Sequence, residues 1–173
     1  METAQKPTVV ITHRPFPETI AALEPHAEVV WNDSDRTWPR EVLMQKAATA
    51  TALMAFMPDS LCAEDLEFLP RLRIVAGALK GYDNFDVVAM ARRGIWFTNV
   101  PDLLTEPTAD LGVALLLALG RNLLPADRHM RRGDFFGWQP LFYGRGIAGT
   151  VVGIIGMGAV GRALAKRLAP FGA

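Results

Sequence analysis

The sequence predicts an α/β chain built on a mostly parallel sheet. Three observations lead there. Short apolar runs alternate with helix-spaced stretches through the first hundred residues. Pro101 and Asp102 then break the alternation and open a long apolar helical run. Finally, an apolar run at 150–155 leads directly into Gly156, Gly158 and Gly161.

Taken in order, Val-Val-Ile-Thr at 9–12 reads as a buried strand, and Pro17 and Glu18 open an amphipathic stretch that ends near Pro25. A second strand follows at 27–31. Residues 38–48 carry helical spacing, 52–57 a third apolar strand, and 63–69 a short helix closed by Pro70. Strand 73–79, helix 85–93 with Gly94 as its C-terminal stop, and strand 95–100 complete the series. Alternation at this spacing predicts parallel strands covered on both faces, in one domain of about a hundred residues.

The run at 105–129 is helical and apolar on most faces through 111–120, so something other than its own small domain must cover it. A subunit interface is expected there. Residues 133–140 form an aromatic loop, and 150–155 reads as a new buried strand. That strand and the amphipathic helix after it give the glycine pattern its meaning. Gly156 permits the tight turn, Gly158 removes a side chain where a pyrophosphate approaches, and Gly161 lets helix and strand pack closely. Backbone N–H groups of Met157, Ala159 and Val160 at the helix start then face the anion. The bland alternative is a tight turn with packing glycines. The same fingerprint predicts an acidic residue about 20 positions on, at the ribose of NAD. That position lies past Ala173, so NAD and NADP are not distinguished, and the chain is expected to be a fragment.

Composition excludes several classes. Among 173 residues, 18 basic and 18 acidic side chains cancel, leaving no electrostatic footprint for nucleic acid. Cys62, the single cysteine, forms no internal disulfide, and no apolar run reaches the ~18 residues of a membrane span. No signal peptide is read at the start, and a cytoplasmic location is expected. His13, His26 and His129 lack metal-ligand spacing and a neighbouring carboxylate pattern, so they read as structural or surface residues and no metal site is expected.

These features together resemble the D-isomer-specific 2-hydroxyacid dehydrogenases over the whole chain. The resemblance implies a flavodoxin-like substrate domain at 1–101 and, at 102–173, the first part of a Rossmann NAD-binding domain. Four blocks are similar to the phosphite-oxidising phosphonate dehydrogenases of that family: Met-Ala-Phe-Met-Pro-Asp at 54–59, Ala-Leu-Lys-Gly-Tyr-Asp-Asn-Phe-Asp-Val at 78–87, Val-Pro-Asp-Leu-Leu-Thr at 100–105 and Gly-Trp-Gln-Pro-Leu-Phe-Tyr-Gly at 137–144. The implied activity is oxidation of phosphite to phosphate with NAD.

Lys80 carries that distinction, because the general hydroxyacid enzymes usually have a small or apolar residue there. An ammonium beside the Gly81 N–H offsets the desolvation of a small oxyanion. On composition alone Lys80 reads as a solvated lysine in a turn. By resemblance Met57 and Leu104 line the substrate, Trp138 and Tyr143 stand near it, and Thr108 touches the nicotinamide. Read bare, Met57 and Leu104 are core residues, Trp138 and Tyr143 cap a loop, and Thr108 is a helix-start threonine, with Thr105 the better cap. The resemblance puts the family's catalytic histidine, its acid and its substrate arginine beyond Ala173. Two other readings stand beside this one: a dehydrogenase of a small 2-hydroxy acid such as glycerate, glyoxylate or lactate, and a noncatalytic, nucleotide-sensing or truncated product that only dimerises.

Overall fold

The computed structural model describes residues 6–173, which divide into two compact units, one running to Pro101 and one from Asp102. The first unit holds β1 (Thr8–Ile11), α1 (Pro17–Leu23), β2 (Glu28–Trp31), α2 (Arg40–Ala47), β3 (Ala52–Ala55), β4 (Ile74–Gly77), α3 (Val87–Arg92) and β5 (Trp96–Thr98). Its five strands form one sheet in the order β2-β1-β3-β4-β5, with every ladder parallel. This is the flavodoxin-like order. Val9 pairs with Val29 on one side and Ala52 on the other, and Val75 pairs with Leu53 and Phe97.

Successive strand residues point to opposite faces, and Val10 and Ile11 are both completely buried, so both faces of the sheet are covered at β1. The core joins Val10, Leu53 and Val75 to Leu43 and Ala47 of α2, Met90 of α3 and, from the connecting segments, Leu61, Leu66 and Phe85. Local chemistry sets the helix ends. Pro17 occupies the first turn of α1, where its missing N–H costs nothing. The Asp86 carboxylate accepts the Ala89 N–H at 2.8 Å to cap α3, and Gly94 closes it at φ +70°.

The short helix expected at 63–69 is instead a single 3₁₀ turn, Asp65–Phe68. Asp65 is buried there, accepts the Cys62 N–H at 2.9 Å and pairs with Arg40, and Pro70 bars any continuation.

The second unit contains α4 (Thr105–Gly120), α5 (Leu123–Arg131), α6 (Ala159–Leu168) and a closing 3₁₀ turn, Ala169–Phe171, that ends at Gly172. The continuous helix expected over 105–129 is two helices bent by 65°. Pro125 lacks the N–H that would bond Arg121, and its ring would collide with that carbonyl. The chain therefore turns at Asn122, at φ 52°. The loop after α5 seals the break. Arg145 N–H donates to the Gly120 carbonyl at 2.7 Å, and the Asn122 amide donates to the Tyr143 carbonyl at 2.9 Å.

The expected strand at 150–155 also fails to form. β-Structure is a pairing, the described residues of this unit include no other strand, and Val151 and Ile155 stay fully exposed. Gly112 lets α4 approach α6: a Cβ there would meet Leu164 Cδ1 at 3.2 Å. Arg167 of α6 bonds Asp110 at 2.5 Å and Glu106 at 2.6 Å on α4. No single helix among the described residues is long and apolar enough to cross a membrane.

Candidate active site

Ligands of open α/β sheets bind outside the carboxyl ends of the strands, where the winding order reverses. In the first unit that point lies between β1 and β3. Thr12 and His13 follow β1, the segment 56–60 follows β3, and Lys80 and Gly81 follow β4.

The segment after β3 is a closed turn. Asp59 N–H donates to the Phe56 carbonyl at 3.0 Å, while the Phe56 N–H donates to the Asp59 carboxylate at 2.7 Å. Asp59 is buried, and its carboxylate also accepts the Thr12 hydroxyl at 2.5 Å, which ties the turn to the end of β1. The tip, Met57 and Pro58, is exposed, so Met57 is not a core residue.

The segment carrying Lys80 and Gly81 is bound to the same turn. Leu61 and Phe85 form a parallel bridge, with Leu61 N–H donating to the Asn84 carbonyl at 3.2 Å. The Asn84 side-chain amide donates to the Met57 carbonyl at 3.2 Å and to the Asp59 carbonyl. From the other side the Asn99 amide donates to the Lys80 carbonyl at 2.8 Å. Lys80 and Gly81 are exposed, and a Cβ on Gly81 would meet no atom within 4 Å, so its backbone is open to a ligand. Of the residues singled out in the sequence, Met57 is thus tied through Asn84 to the segment that carries Lys80 and Gly81.

Asp59, Asn84 and Thr12 were not among the expected site residues. Asn84 lies inside the 78–87 block, but nothing in spacing alone marks it. His13 sits as a structural residue with a neighbour that the sequence did not show. Its Nε2 is buried without a hydrogen-bond partner, 3.8 Å from Asp59 Oδ1, and its ring stands 5.2 Å from Phe56. His129 Nδ1 lies 3.9 Å from Asp134 Oδ2. Both histidines thus have a carboxylate neighbour that the sequence pattern did not reveal. No cluster of three or more metal-ligating side chains occurs among the described residues.

The remaining residues lie in the second unit. Leu104 is the N-cap residue of α4 and is exposed, which corrects its core reading. Thr105 is the helix's first residue rather than its cap, and the cap makes no side-chain bond. Thr108 donates its hydroxyl to the Leu104 carbonyl at 2.6 Å. Trp138 and Tyr143 are exposed on the loop that seals the α4–α5 break.

The glycines keep part of what their spacing implies: the helix after them forms, while the strand before them does not. Gly156 has φ +94°, a conformation costly for any residue with a Cβ. Gly158 is the N-cap residue of α6, has no side-chain cap bond, and would carry its Cβ into open space. Gly161 is buried against Gly156. Met157, Ala159 and Val160 complete a helix start whose first N–H groups no side chain caps. A dinucleotide pyrophosphate fits this cradle, since the uncapped amides and the positive end of the helix dipole favour an anion.

A flavodoxin-like parallel sheet followed by a glycine-lined helix start defines the class: an α/β protein whose second unit opens with the kind of helix start that binds dinucleotides. More narrowly, the chain belongs to the D-isomer specific 2-hydroxyacid dehydrogenase family, whose catalytic-domain profile matches residues 9–165. The family uses NAD or NADP. The glyoxylate reductase of Thermococcus gammatolerans is 45% identical over 96% of this chain and 52% of its own length. That of Pyrococcus horikoshii is 43% identical over 96% and 51%. The crystal structure of a protein from Polaromonas sp. JS6 66, described as a "putative D-isomer specific 2-hydroxyacid dehydrogenase, NAD-binding", superposes with a TM-score of 0.90 at 31% identity, covering 96% of this chain and 53% of that one. The chain spans about half the length of the relatives it matches. The two archaeal relatives carry the name glyoxylate reductase, whereas the four sequence blocks are similar to those of phosphonate dehydrogenases.

Proposed function

We propose that the full-length protein reduces glyoxylate, or a 2-oxo acid of similar size, to the corresponding 2-hydroxy acid. The observation that carries this reading is the 45% identity to a glyoxylate reductase across nearly the whole chain. The uncapped glycine helix start supports it by offering a dinucleotide site. In the overall reaction a hydride from NAD(P)H adds to the carbonyl carbon and a proton to the carbonyl oxygen.

In this reading the Lys80 ammonium and the Gly81 N–H hold the substrate carboxylate, a charge-assisted pair suited to a small anion. Met57 supplies an apolar wall beside that pair, and for Leu104, Trp138 and Tyr143 the substrate roles are those the family resemblance implies. Thr108 borders the nicotinamide, and residues 156–161 hold the pyrophosphate. Residues 1–101 act as the substrate domain and 102–173 as the opening of the dinucleotide domain.

Phosphite oxidation stays a second reading because of Lys80, whose ammonium suits a compact oxyanion equally well. One experiment separates the two. Near-ultraviolet absorbance of the full-length protein follows NADH consumption with glyoxylate and NADH formation with phosphite. Turnover of glyoxylate alone supports the main reading; turnover of phosphite alone replaces it.

We also propose a homodimer formed through α4. Leu111, Leu115 and Leu119 recur every four residues and are 58%, 60% and 79% exposed, a continuous apolar stripe on one helix face.

A further inference from the structure

We propose that Asn84 is a positioning residue that sets how large a substrate the site accepts. The inference rests on the reading of Met57, Lys80 and Gly81 as the substrate cluster. Its basis is the placement of one side-chain amide. The two hydrogens of Asn84 Nδ2 go to two carbonyls, those of Met57 and Asp59, which flank Pro58 at the tip of the turn after β3. The reverse amide orientation would set oxygen against both carbonyls, so the contact needs a two-hydrogen donor.

Pro58 has no N–H, and the turn is also closed by the reciprocal Phe56–Asp59 bonds and the Thr12 hydroxyl. None of those bonds reaches the segment of Lys80 and Gly81. The Ala78 N–H, which donates to the Ala55 carbonyl at 2.8 Å, ties the two segments at their base, the Leu61–Phe85 backbone bridge ties them beyond the turn, and the Asn84 amide grips the tip between. The bridge sets that the two segments are neighbours. The amide sets how far the Met57 wall stands from the Gly81 backbone. A wall held at fixed distance accepts a small substituent on the oxo acid and rejects a bulkier one; a wall released can recede.

Asn84→Asp keeps the shape and removes both donors, and Asn84→Gln keeps the donors on a longer arm. The Leu61–Phe85 bridge is backbone only, so it persists in both. Amide hydrogen exchange on the 173-residue chain reads the brace directly: Asn84→Asp should speed exchange at Phe56 and Asp59 about tenfold while leaving Val10 and Val75 unchanged. Equal exchange in variant and parent overturns the proposal. Should Asn84→Asp fail to fold, Asn84→Ala gives the same readout without the added charge.

In the full-length protein, Asn84→Asp should raise KM for glyoxylate about tenfold with kcat within about twofold, and raise the ratio of kcat/KM for a branched 2-oxo acid over glyoxylate. Asn84→Gln should recover part of both. A parallel fall in all substrates, with the ratio unchanged, overturns the selectivity role. If the parent enzyme reduces no 2-oxo acid, the functional reading fails, while the exchange experiment still decides the brace.

Discussion

A Cβ on Gly161 would overlap the carbonyl oxygen of Gly156 and stand 3.2 Å from its carbon. Neither atom can retreat cheaply, because both belong to backbone. Gly161→Ala is therefore expected to cost about 1–3 kcal/mol of stability, seen as a lower urea midpoint, and to open the turn that Gly156 makes. An unchanged midpoint would mean the turn is not packed as described.

Gly158→Ala separates folding from binding. The added methyl meets nothing within 4 Å, so the urea midpoint should hold. Yet it stands at the uncapped start of α6, where a pyrophosphate would approach, so affinity for NADH in the full-length protein should fall about tenfold or more. Fluorescence titration measures it. If both glycine variants bound NADH like the parent, the fingerprint would be a packing turn alone.

How much of this was legible in the sequence follows from what each element depends on. The five strands of the first unit carry their own apolar runs and pair with one another, so each was readable within two residues or so of its ends. The run at 150–155 has equal apolar character but no partner strand among the described residues, and pairing is not a property of one segment. The break at Asn122 had a signal, Gly120 followed by Pro125, that the strong apolar run on either side concealed. At the site, Met57, Lys80 and Gly81 came from a resemblance to motif blocks. Asn84 and Thr12 were invisible because their bonds to the turn cross 25 residues or more of chain, as does the tie of Asp59 to β1, although Asp59 also closes its own turn locally.

Lys80→Ala tests the oxyanion role. In the full-length protein, loss of a charge-assisted bond to a small anion should lower kcat/KM for the true substrate about tenfold to a hundredfold, mostly through KM. Lys80→Arg keeps the charge but spreads it over a planar fork, so it should restore only part. A solvated turn lysine would leave both constants unchanged under either substitution.

Leu115→Glu tests the α4 interface. The residue is 60% exposed within this chain, so a charge there costs the monomer's fold little but sits in the middle of the proposed dimer contact. Light scattering should give twice the chain mass for the parent and the single-chain mass for the variant, with matching circular dichroism. A parent that already runs as a monomer removes the α4 interface.

Asp65 gives the stability an acid limb. Burial pushes its carboxyl pKa up, but the Arg40 side chain and the Cys62 N–H and thiol bond the charged form and together hold it below the ordinary 3.8. A group with a depressed folded pKa stabilises fully above its unfolded value, and that contribution is lost as pH falls through the folded one. The loss from this pair therefore begins only below about pH 4. Arg40→Ala removes the guanidinium and leaves the buried carboxylate short of a partner, so the urea midpoint should drop at pH 7 and the gap between parent and variant should narrow as the pH is lowered toward 3. Asp65→Asn, which cannot ionise, should flatten the same limb. A gap between parent and Arg40→Ala that stays constant from pH 7 to 3 would show that the pair does not govern acid sensitivity.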